Sequence, residues 1–344
     1  MKRLSNLAGN VVRDPTAQTL LLAAGILALV AVCRPQEKSG LPIDVFWYEK
    51  VHFRQSADCV LGGDSRIMCG ASPAVIADAL PGFRVKNFAF SGCGYSPDYL
   101  NQLRDVLHPS SSQPIIVLGV SPGSLTRMAV ERKSGFSAEM ARRSQPRPRP
   151  SWLADAIQNR LRPIPLRQIA GFLRDPWTKT GYFQEHHADG WIASQRVPRS
   201  PTLTVPWYRQ HFRENQVCPA VLADLLTATR EWSSGGIRVY AVRMPISAEL
   251  KAVEDELAGF DEAAFVARFE AAGGRWLPLN QDGYVTGDGS HLERESAVRF
   301  SQWLAEVIRE DLQTDSLFTQ RLPASRMRLN APVDAAENVP ISRR

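Results

Sequence analysis

Cysteine is scarce in this chain: five in 344 residues. None sits in a C-x-x-C pair, so a zinc ribbon, a thioredoxin motif and a disulfide-stapled miniprotein are all excluded. The six histidines contain no H-x-x-x-H spacing. Adjacent His186 and His187, even beside Glu185 and Asp189, make a poor ligand set for one ion, so neither metal nor cofactor is expected. There is no internal repeat, and with it go the solenoids and propellers. Long apolar runs are equally rare, with a single uncharged stretch near the N-terminus. What is present suffices for a core. Apolar residues make up 44% of the chain, which rules out wholesale disorder, and the length suits one large domain or two ordinary ones.

The excess of positive charge is small, +6, and unevenly placed. Residues 121–216 hold 16 Lys+Arg against 7 Asp+Glu, so the rest of the chain is slightly acidic. One segment carries the basicity.

The N-terminus has the pattern of a membrane anchor. Lys2, Arg3 and Arg13 face a lone Asp14, and residues 19–33 carry no charge. As a helix, those residues span about 22 Å, and adding 16–18 brings them toward the roughly 17–25 residues of a bilayer crossing. Ala31-Val32-Cys33 offers neither a clear A-x-A cleavage site nor a good lipobox, which favours an uncleaved anchor over a signal peptide. A soluble helix would usually keep a polar face. The basic flank should stay in the cytoplasm. In a bacterial cell this gives a single-pass inner-membrane protein with its C-terminal part in the periplasm, and nucleic acid is then no partner.

The body reads as α/β. Strands are expected at 59–61, 83–90, 114–120, 237–242 and 275–279. Helices are expected at 74–80, 99–107, 221–232, 250–272 and 293–311. Such alternation implies a parallel sheet covered on both faces. The rhythm breaks over 127–216, which holds nine of the 24 prolines and four of the eight tryptophans. The expected organisation is therefore a 1–35 N-terminus and anchor, a domain formed by 36–126 and 217–311, an inserted lid over 127–216, and a poorly ordered tail over 312–344.

Chemistry gathers at the strand ends. Gly62-Gly63-Asp64-Ser65 follows the first strand and precedes a helix, which would present the Ser65 hydroxyl at the carboxyl edge of the sheet. By itself this is equally a plain turn with a helix cap. Asp288-Gly289-Ser290-His291 places a carboxylate three residues before an imidazole, close enough to orient it as general base for a serine; its bland reading is a surface turn. Asn87 and Gly92 close the second strand, where a glycine N–H can meet an oxyanion. Gly119-Val120-Ser121 closes the third, with Ser121 as a further donor.

In this order these blocks resemble the SGNH (GDSL-type) hydrolase and acyltransferase superfamily. The resemblance covers roughly residues 55–125 and 230–311. It implies a flavodoxin-like three-layer α/β/α fold, with Ser65 as nucleophile, His291 as base and Asp288 as its orienting partner. It implies an oxyanion hole from Ser65, Gly92 and Ser121. The family's third block carries an asparagine where this chain has Ser121; a hydroxyl is shorter and donates one bond, which weakens that donor. An anchored extracytoplasmic member is similar to the alginate O-acetylation and teichoic D-alanylation proteins. That layout implies an esterase or acyltransferase working on an acetyl-type ester of a cell-envelope glycan, partnered by a membrane-bound O-acyltransferase. The competing reading is an inactive SGNH-like domain that binds glycan or scaffolds a synthesis complex.

The insert has its own readings. Trp152, Trp177, Trp191 and Trp207 either stack on sugar rings or build a small core of their own. The arginines of residues 142–150 either meet an anionic surface or form a solvated loop. An extracytoplasmic setting permits a disulfide among Cys59, Cys69 and Cys93, but no pairing follows from sequence, and Cys59 in a buried strand reads first as packing.

Overall fold

The computed structural model describes residues 14–33, 40–131, 135–148 and 181–321. Its centre is a five-stranded sheet in which every pairing is parallel. The strands are β1 (Cys59–Gly63), β2 (Val85–Asn87), β3 (Ile115–Val120), β6 (Arg238–Arg243) and β7 (Arg275–Trp276), in the spatial order β2-β1-β3-β6-β7. All six residues of β3 are buried, as an apolar run covered on both faces requires.

Alternation along the strands sorts the core into two halves. Cys59, Leu61, Ile115, Val117, Tyr240 and Val242 face one side. There they meet Ile67 of α3 (Ser65–Gly70), Ile76 of α4 (Pro73–Ala79) and Phe300 and Leu304 of α12 (Arg294–Arg321). Val60, Ile116, Leu118 and Ala241 face the other. Their partners are Leu103 of α5 (Pro97–Asp105), Leu225 of α9 (Pro219–Ser234) and Phe269 of α11 (Glu262–Ala271). The result is three layers, α/β/α.

Several boundaries differ from expectation. The single helix expected over 250–272 is two, α10 (Ala248–Leu257) and α11. Gly259 at φ 66° breaks the run, and Asp261 caps the second helix through Ala264 N. The last helix continues past Asp311 to Arg321, so the expected tail is helical in its first part; residues 322–344 lie outside the described residues. Before the sheet, α2 (Ile43–Val51) was not legible as a helix.

The segment 127–216, which opens with the short helices α6 (Arg127–Glu131) and α7 (Phe136–Met140), does not sit apart as a lid where it is described. A hairpin of β4 (Gly181–His186) and β5 (Ile192–Val197) inserts Trp191, Ile192 and Ala193 into the first core half. Trp191 Nε1 donates to the Cys69 carbonyl at 2.9 Å, so Trp191 is a core residue and not a sugar platform. Trp152 and Trp177 lie outside the described residues. The arginine run is tied to α2 while remaining partly to largely exposed. Arg142 pairs with Asp44 at 3.2 Å, Arg147 with Glu49 at 2.5 Å, and Arg143 Nε donates to the Val51 carbonyl. Cys59, Cys69, Cys93 and Cys218 are free thiols.

The expected anchor forms a 19-residue helix, α1 (Pro15–Cys33). Among the described residues, however, no helix is long and apolar enough to cross a membrane. Thr16, Gln18 and Thr19 occupy the first turns, and the wholly apolar part, residues 20–33, spans about 21 Å against a hydrocarbon core of about 30 Å.

A buried lysine ties the entry helix to the hairpin. Lys50 is fully buried, its Nζ donates to the Gly190 carbonyl at 2.8 Å, and it lies 5.3 to 5.7 Å from the ring centres of Phe46, Trp47 and Phe90. Burial pulls its pKa down from 10.5 to about 7. Between those values the unfolded chain holds a proton that the folded chain lacks, so stability should rise with pH from about 7 to 10.5. Thermal melts of Lys50→Met across that window should lose this rise; a wild-type slope in the variant would contradict it.

Candidate active site

The site is built at the point where β1 and β3, neighbours in the sheet, send their chains to opposite faces. That is where a doubly wound sheet leaves a crevice beyond its carboxyl ends. Gly63 has φ 139°, and a Cβ there would stand 2.7 Å from the Gly119 carbonyl oxygen, so the two strand ends approach as closely as they do only with glycine. The Tyr99 hydroxyl accepts from Gly63 N at 2.7 Å, and the Tyr95 hydroxyl donates to the Gly119 carbonyl at 3.1 Å. Asp64 then caps α3 by accepting from Arg66 N at 2.9 Å, and Ser65 opens the helix. Asn87 holds this helix from β2. Its Nδ2 donates to the carbonyls of Ile67 and Ala71, and its Oδ1 accepts from Ala89 N.

The loop before α12 comes down onto this helix. His291 Nε2 lies 2.8 Å from Ser65 Oγ, and His291 Nδ1 lies 2.8 Å from Asp288 Oδ2. The other oxygen of Asp288 accepts from the backbone N–H groups of Ser290 and His291 at 2.8 and 2.9 Å. Burial works to raise the Asp288 pKa, but the bond from His291, its charge and the two backbone donors prevail and hold it at about 2. A carboxylate so held keeps its charge beside the imidazole throughout the neutral range. The arrangement can draw a proton from the serine and stabilise the imidazolium that results.

The oxyanion donors fare unequally. Ser65 N leads its helix and has no intrahelical acceptor. Gly92, at φ 61°, lines the same cleft. Ser121 differs from expectation. Its Oγ donates to Asp64 Oδ2 at 2.6 Å and accepts from Ser124 N at 3.1 Å, and the residue is 1% exposed. Its one proton is committed to Asp64, so its hydroxyl is a brace for the helix cap and not an oxyanion donor. Ser121→Ala should therefore lower kcat by less than about tenfold, against the roughly 10²–10³ lost with a true oxyanion donor. Ester turnover rates check this; a loss in the larger range would restore Ser121 to the hole.

Three supports were not read from sequence. Thr204 N and Oγ1 both donate to the Asp288 carbonyl, at 3.1 and 2.9 Å. The Tyr208 hydroxyl lies 3.1 Å from Ser290 Oγ. Both belong to the 127–216 segment, where α8 (Val205–Glu214) braces the His291 loop. The available signal was the i, i+4 pairing of Trp207 with His211 and Tyr208 with Phe212. The third is Arg66, directly after the serine and 1% exposed. Its Nη2 bonds Glu254 Oε1 at 2.5 Å, its guanidinium lies 5.2 Å from the Tyr208 ring centre, and Glu254 also accepts from Arg243 at 3.0 Å. Burial works against the charge on Arg66, but the Glu254 carboxylate outweighs it and raises the pKa.

The cleft above Ser65 is small, about 60 Å³, with Gly92, Ser124, Met128, Trp207 and Tyr208 in its walls. Among the described residues no group of His, Cys, Asp and Glu is placed to hold a metal ion, and His187 stacks on Trp191 instead. No protein-family model, curated protein or solved structure matches the chain.

Proposed function

We propose that this protein is a serine esterase or O-acyltransferase acting on a short acyl ester. The observation that carries the reading is the continuous Ser65–His291–Asp288 relay, 2.8 Å at each link, at the carboxyl edge of a parallel sheet. A serine hydroxyl attacks an ester only with a base to take its proton, and the acyl-enzyme divides one hard step into two. Ser65 N–H and Gly92 N–H are the two donors for the oxyanion. The strand order, 2-1-3-4-5 when sheet strands alone are counted, is that of flavodoxin-like sheets and agrees with the SGNH resemblance. The cleft directly over Ser65 is narrow, about 60 Å³, which suits a short acyl group such as acetyl. Whether water or a hydroxyl takes the acyl group decides between hydrolysis and transfer. The uncharged α1, with Leu20, Leu22 and Ile26 exposed, supports attachment to the inner membrane, and the basic flank of Lys2, Arg3 and Arg13 supports a periplasmic sheet domain. The test is p-nitrophenyl acetate turnover by the detergent-solubilised full chain, and its loss in Ser65→Ala; a well-folded protein that never forms an acyl-enzyme would instead favour the inactive scaffold.

A further inference from the structure

One feature beside Ser65 takes no part in the relay. Trp207 is 52% exposed although it lines the cleft wall. Its ring stacks on His211 at 4.8 Å and 13°, and meets Tyr208 edge-on at 4.8 Å and 87°. His211 covers one face, and the exposure belongs to the other. An indole braced on two sides, with its other face uncovered among the described residues at the mouth of the cleft over Ser65, is an unfilled stacking surface.

Beyond it the cleft opens. Met128 is shared with an adjoining groove of about 570 Å³, walled also by Arg127, Glu131, Glu214, Asn215 and Gln216. The slot at Ser65 is narrow, and the wall that continues from it carries Trp207 and then, through Met128, this groove. The groove is of ligand-binding size and mixed in character, with carboxylate, amide and guanidinium groups beside an apolar share of the wall that includes Met128 and Cys218. A lipid chain would leave those polar groups unpaired. A pyranose ring matches both parts: its C–H face packs on an aromatic ring, and its hydroxyl rim bonds to carboxylates, amides and guanidinium.

We propose that Trp207 is the sugar platform of this site, setting a pyranose of an oligosaccharide against Ser65, with neighbouring sugars in the groove past Met128. This rests on the esterase or acyltransferase reading above. The kinetic test compares acetylated xylo-oligosaccharide with p-nitrophenyl acetate in the full chain. In Trp207→Ala, kcat/KM for the saccharide should fall roughly tenfold further than for the small ester, mainly through KM, and Trp207→Phe should recover much of it because it restores an aromatic face. Equal losses on both substrates, or no rescue by Phe, would overturn the proposal. A second arm keeps it separate from the catalytic reading. Ser65→Ala protein titrated with xylohexaose, cellohexaose and alginate hexamer should bind at least one by calorimetry, roughly tenfold more tightly than Ser65→Ala/Trp207→Ala. If the wild type turns over no ester yet this binding difference holds, the catalytic reading fails and the platform stands. If esters are turned over but no saccharide binds differently, the platform fails alone.

Discussion

In Ser65→Ala protein, p-nitrophenyl acetate turnover is expected to drop by about four orders of magnitude or more, since a nucleophile acting as one unit with its base loses nearly all covalent catalysis when removed. The geometry makes the expectation steep. Ser65 Oγ is the one hydroxyl at 2.8 Å from His291 Nε2, and the Ser121 hydroxyl is occupied by Asp64. Fold and stability should change little, because Ser65 is only partly buried and Asp64 supplies the helix cap. Full activity in the variant would remove Ser65 from the mechanism.

Glu254→Ala is expected to be the most damaging substitution for stability. Glu254 is fully buried and neutralises two guanidinium groups, Arg66 on one oxygen and Arg243 on the other. Arg243 keeps Asp255 and Glu262 when Glu254 is lost. Among the described residues Arg66 keeps no hydrogen-bonded carboxylate, only the nearby charge of Asp64; its Nε and Nη1 are already buried without a partner there. Removing one member of a buried ion pair costs about 3–5 kcal/mol because a charge is left uncompensated. For a domain of this size that corresponds to roughly 10 °C in Tm. Arg66→Ala should cost less, since Glu254 retains Arg243. Denaturant midpoints for the two variants check the ranking, and a near wild-type Glu254→Ala would mean that Arg66 reaches water. Because Arg66 follows Ser65, turnover should fall in Glu254→Ala even under folding conditions.

Much of this was legible from the chain. The buried strand over 115–120 is apolar throughout, and Gly-Gly-Asp-Ser announces a tight strand-to-helix turn. Ser65 stands 223 residues before Asp288 and 226 before His291, and the structure brings the three together. What was not legible depends on long-range contact. Ser121 reads as a strand-end donor because its sequence neighbours say nothing of Asp64 across the crevice. Trp191 and Trp207 look alike in a proline-rich segment; only the hairpin register sends the first into the core, while α8 leaves the second at the cleft. The positive charge of 121–216 suggested a polyanion, yet Arg142, Arg143 and Arg147 are engaged with α2, an element that sequence periodicity did not announce. The break at Gly259 was hidden because apolar periodicity runs on across it.

The most direct test of the central claim is covalent. Full-length protein treated with a fluorophosphonate probe, digested and mapped by mass spectrometry, should carry one adduct on Ser65, and Asp288→Asn should slow its formation. An adduct on another residue, or none on folded protein, would contradict a serine nucleophile at this site.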